Sequence, residues 1–83
     1  RTHRPEIMSS PVYWLSPLGG FDDFGVPYDL EPGGIMYDAK TRHGPWANMT
    51  PSSFHLEGCG RLGPGFGQKY QLQPDKRWLK IEG

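Results

Sequence analysis

Two short stretches near the C-terminus carry the clearest strand pattern. Tyr70-Gln71-Leu72-Gln73 and Trp78-Leu79-Lys80-Ile81 flank Pro74-Asp75-Lys76-Arg77. Proline followed by aspartate suits a type I turn, on which four-residue hairpin loops are commonly built. That register sets Leu72 opposite Leu79 and Tyr70 opposite Ile81 on one face. The other face then carries Gln71 opposite Lys80 and Gln73 opposite Trp78, and Lys69 meets Glu82 as a complementary charge pair. The pattern predicts a β-hairpin over residues 69–82. An isolated hairpin is marginal in water, and little else in the chain offers a cover for its apolar face.

Upstream, 12 glycines and 9 prolines interrupt every pattern. The longest segment free of both is residues 35–43, nine positions. A typical helix has about 11–12 residues and resists interior proline, so a helical bundle is excluded. Thr50 can cap a short helix over residues 51–57, with Pro51 at its first position and Gly58 at its end. Glu31-Pro32-Gly33-Gly34 and His43-Gly44-Pro45 read as turns. The longest apolar run is Val12-Tyr13-Trp14-Leu15, far short of the roughly 18 residues of a membrane-spanning helix.

Composition sharpens this picture. Leu, Ile, Val and Phe supply only 16 of 83 residues, in the range where a packed core becomes doubtful. The fold class expected is an irregular, loop-rich, extended chain with little regular secondary structure beyond the hairpin and the short helix. It forms one unit over residues 1–83, gaining its structure by lying across larger subunits. The zero net charge is made of separated blocks. Residues 5–39 hold six acids and no Lys or Arg, whereas residues 40–83 hold seven bases and three acids and include the glycine-rich tract 58–67. Arg1 and Arg4 add two charges at the start. Such blocks suit an elongated chain touching different surfaces, or two halves that pair with each other.

Candidate chemistry is sparse. Gly58-Cys59-Gly60-Arg61-Leu62-Gly63 matches G-x-G-x-x-G, but Pro64, Gly65 and Gly67 follow at once, so the helix that a dinucleotide loop must open is not expected. His43, His55 and Cys59, with His3 as a distant fourth, lack the paired ligands of a zinc site. Cys59 with His55 lacks the orienting group and rigid pocket of a nucleophile–base pair. Asp22-Asp23 lacks the calcium-loop pattern. Asn48-Met49-Thr50 is a formal glycosylation acceptor followed by Pro51, and reads as an unmodified turn. No enzyme, cofactor or metal is expected.

Partner contact is the remaining reading. Eleven Trp, Tyr and Phe residues are the kind of anchor that fills partner pockets, and proline lowers the entropy lost on docking. The partner-binding residues expected are Trp46, Tyr70, Leu72, Trp78, Leu79 and Ile81. The function expected is a non-catalytic accessory subunit of a large multi-subunit assembly, with larger protein subunits as partners. A single cysteine, Cys59, points to a reducing, intracellular compartment. A basic N-terminus of the kind left by a removed presequence points to the mitochondrion, with a respiratory complex or an organellar ribosome as the assembly. Two other readings stay open: an RNA-binding protein using the basic, aromatic C-terminal half, and a small β-rich protein-binding module.

Overall fold

A computed structural model describes residues 10–83. Arg1, His3 and Arg4 lie outside the described residues. Four strands, β1 (Ile35–Lys40), β2 (Trp46–Met49), β3 (Gly67–Leu72) and β4 (Trp78–Glu82), form one antiparallel sheet in the order β2-β1-β3-β4. One helix, α1 (Pro51–Glu57), follows β2. The expectation of an irregular, extended, loop-rich chain is therefore corrected: the chain closes on itself as a mostly β domain.

The reason lies in what builds the core. Its buried hydrophobic residues are Tyr28, Met36, Ala39, Ala47, Met49, Tyr70, Leu72 and Trp78. Leu72 alone among them belongs to the Leu, Ile, Val and Phe set whose scarcity argued against a core. Aromatic rings each bury a large area, and methionine fills irregular gaps, so a few of them replace many aliphatics.

Both sheet faces are covered. Residues 10–34 form a strap across one face, where Trp14 and Leu18 pack on the cluster Tyr28, Met36, Tyr70, Leu72 and Trp78. Trp14 meets Tyr70 edge to face with centroids 5.7 Å apart, and Tyr28 tilts against Trp78 at 5.9 Å. The strap begins as a fragment of a fifth strand. Trp14 N–H donates to the Trp78 carbonyl at 3.0 Å and Lys80 N–H donates to the Val12 carbonyl at 2.8 Å, which closes the β4 edge. On the opposite face, α1 lays Phe54 flat on Tyr37, with centroids 4.1 Å apart, over Ala39, Ala47 and Met49. Thr50 caps the helix by accepting from Ser53 N–H at 3.3 Å, Pro51 opens it, and Gly58 ends it with its N–H on the Phe54 carbonyl at 2.9 Å.

The C-terminal hairpin forms in a different register from the one expected. Gln73 N–H donates to the Arg77 carbonyl at 2.8 Å and Lys76 N–H to the Gln73 carbonyl at 2.9 Å, so the loop has three residues, with Lys76 left-handed at φ 74°. This is a type I turn followed by a left-handed residue, the common three-residue hairpin loop. Leu72 pairs with Trp78, Gln71 with Leu79 and Tyr70 with Lys80. Lys69 still faces Glu82, because a bulge between Lys69 and Tyr70 absorbs the slip. A slip of one residue turns side chains to the other face. Here it brings Trp78 into the core beside Tyr70 and Leu72, and turns Leu79 and Ile81 away.

Candidate binding surface

The strap is fixed by one side chain. Asp22 is buried. Its Oδ1 accepts from the backbone N–H of Phe24 and of Val26, each at 2.9 Å. Its Oδ2 accepts from Thr50 N–H at 2.8 Å and from the Thr50 hydroxyl at 2.9 Å. Burial alone pushes the carboxyl upward, but hydrogen bonds from the Ser53 hydroxyl, the Thr50 and Val26 amides and the Thr50 hydroxyl outweigh it and bring the pKa down to about 2. Asp23 adds a second fastening: its N–H donates to the Asn48 carbonyl at 3.0 Å, and its Oδ2 accepts from Asn48 N–H at 2.8 Å. The turn at residues 22–26 is thus tied to the α1 cap and to the outer edge of β2. Beneath it, the buried Tyr28 hydroxyl has no protein partner; burial, with the Asp22 and Asp23 charges, pushes it up to about 12.

This fastening gives the strap two sides. Trp14, Leu18 and Tyr28 turn inward. Leu15 (92% exposed), Phe21 (63%), Leu30 (50%) and Phe24 (45%) remain outside. No Lys or Arg occurs among residues 10–39, and Asp23, Asp29 and Glu31 are exposed in the same segment. Among the described residues the ion pairs are His43 with Glu57 at 3.7 Å and Arg77 with Asp75 at 3.0 Å. Both lie within residues 40–83, so neither joins the acidic block to the basic one.

The chain matches no protein-family model, no curated protein and no solved structure.

The six residues expected to bind a partner are divided by the fold. Tyr70, Leu72 and Trp78 are buried in the chain's own core. Leu79 is half-buried beside Tyr13, with which it forms an isolated bridge. Ile81 and Trp46 are exposed. Sequence reasoning missed the outer strap residues Leu15, Phe21, Phe24 and Leu30 as a group; Phe21 and Phe24, either side of Asp22-Asp23, were the available signal.

Several cations lie over aromatic rings. Arg61 Cζ is 3.9 Å and Lys40 Nζ 5.9 Å from the Phe66 centroid, Arg77 Cζ is 3.9 Å from that of Tyr13, and Lys69 Nζ is 5.8 Å from that of Tyr37. Gly58 closes α1 rather than opening a helix, so the G-x-G-x-x-G segment is a loop leaving a helix. Cys59 Sγ lies 3.4 Å from the Arg61 carbonyl and 3.8 Å from that of Phe66, where it braces this loop. Among the described residues no His, Cys, Asp and Glu group together with the geometry of a metal site, and no helix is long and apolar enough to cross a membrane.

Proposed function

We propose that the chain is a non-catalytic accessory module that docks on a larger protein through the outer side of its strap. The observation that carries this reading is the outward apolar set Leu15, Phe21, Phe24 and Leu30 on a segment that Asp22 and Asp23 hold in place. Large apolar side chains left exposed within one short segment suit an interaction site, and aromatic anchors dominate the energetics of docking. A segment already fixed loses little further entropy on binding. The acidic surroundings favour a partner that presents an apolar pocket with a basic rim.

This reading keeps the accessory role and drops the requirement that the chain fold on its partner. The test is retention of the full chain in native complexes, comparing wild type with Phe21→Ser, Phe24→Ser and the double variant. Each single change is expected to cost about 2 kcal/mol of docking energy, the lower bound of a hot spot, with the melting temperature of the purified chain little changed. Undiminished retention of the double variant sinks the reading.

A further inference from the structure

At the other end of the sheet, three segments distant in sequence form a row across neighbouring strands. Lys40 ends β1. Trp46 stands opposite it in β2. On its other side Lys40 N–H donates to the Phe66 carbonyl at 2.9 Å, just before β3 begins. Arg61 stacks on the Phe66 ring at 3.9 Å, and Lys40 Nζ reaches the same ring at 5.9 Å. The order is aromatic, cation, aromatic, cation.

Trp46 is exposed, and Lys40 and Phe66 are half-exposed. Neither Lys40 nor Arg61 is in an ion pair among the described residues. Glu57, in the neighbouring helix, is engaged by His43 at 3.7 Å, and Asp38, two residues before Lys40, is half-buried. Two cations gathered on one ring with no ion pair among the described residues repel each other, and an anion relieves that repulsion. The loop adds donors: among the described residues the backbone N–H groups of Gly60, Arg61 and Leu62 find no backbone acceptor, and Gly60 takes the left-handed conformation at φ 80°.

We propose that the row Trp46–Lys40–Phe66–Arg61 binds single-stranded nucleic acid. Trp46 and Phe66 lie two strand spacings apart, about 10 Å, so one base stacked on Trp46 and another on the Arg61 guanidinium, which itself covers the Phe66 ring, place an intervening phosphate over Lys40. The edge of the Arg61 guanidinium and the loop amides meet the next phosphate. An open sheet surface suits a strand that spreads its charges over several cations, whereas small phosphates are held in concave sites. Bases also supply the flat faces that these rings accept, which an acidic peptide does not.

The test is anisotropy titration of a labelled mixed-sequence RNA octanucleotide with the full chain at several salt concentrations. Wild type is expected to show log affinity falling linearly with log salt. Lys40→Gln and Arg61→Gln should each take about 0.7 off the slope, the value for one lost phosphate contact on a single strand. Lys40→Arg should restore the slope, which separates lost charge from a folding defect. Trp46→Leu should weaken binding about tenfold with the slope unchanged, as expected for a lost stacking platform. Lys76→Gln, at the distant hairpin tip, should change neither. No binding at low salt overturns the proposal, as does an equal slope loss from Lys76→Gln. Equally tight binding of a poly-glutamate peptide of matched charge overturns it too. The outer strap is not involved, so this result and that of the Phe21 and Phe24 variants fail or succeed separately.

Discussion

The carboxylate of Asp22 accepts from two separate pieces of chain, the turn that contains it and the cap of α1. Its folded pKa of about 2 lies below the ordinary 3.8. A carboxyl depressed in this way stabilises the fold fully above the unfolded value, and the contribution is lost as pH falls through the folded one. The difference corresponds to about 2 kcal/mol. Asp22→Asn is therefore expected to lose about that much stability at pH 7, with the gap to wild type closing between pH 4 and pH 2, read from urea unfolding across pH. Asp38 acts in the opposite sense. Burial, and then the Asp23 charge, raise its pKa, so its ionisation removes stability as pH rises through the raised value. The difference between wild type and variant, rather than either curve alone, isolates Asp22.

At the level of elements, the hairpin between β3 and β4 is a compromise. Lys76 is the one non-glycine residue described with a positive φ, 74°, a conformation that costs an L-residue roughly 1–2 kcal/mol. The sheet tolerates it because the resulting register puts Trp78 under Tyr28 and beside Leu72, and burying a large side chain is worth more. Lys76→Gly should thus raise stability by roughly 1 kcal/mol despite the added freedom of the unfolded chain, seen as a higher midpoint in chemical denaturation. An unchanged or lower midpoint contradicts this account of the loop. The β1–β3 contact carries a different constraint. Gly67 faces Ala39, and a Cβ at Gly67 would fall on the Ala39 methyl, so these two strands approach closely only because both residues are small.

For the whole molecule, the strap decides cooperativity. It pairs with β4 at Val12–Trp14, crosses the sheet, and is fastened to β2 and the helix cap at Asp22 and Asp23. Opening either end uncovers the cluster of Tyr28, Met36, Tyr70, Leu72 and Trp78. The purified chain is therefore expected to unfold in a single transition, with near-ultraviolet circular dichroism of the tryptophans and far-ultraviolet signal changing together. Two separated transitions would mean that the strap is not integral to the core.

The sequence by itself determined what lies within a few residues along the chain. Thr50, Pro51 and Gly58 mark the bounds of α1, glycine and proline fix the turns and exclude long helices, and two strands meet near Pro74. Such signals come from capping, fixed φ angles and turn chemistry, which need no distant partner. The tertiary structure alone decided the rest. Counting aliphatics misjudged a core made of Tyr, Trp, Met and Ala with a single Leu, because burial depends on which surfaces meet and not on a residue total. The hairpin register followed from the burial of Trp78, not from the turn residues. Trp46, Lys40 and Phe66 come from three segments, and only strand pairing, driven by long-range burial and hydrogen bonding, sets them in one row.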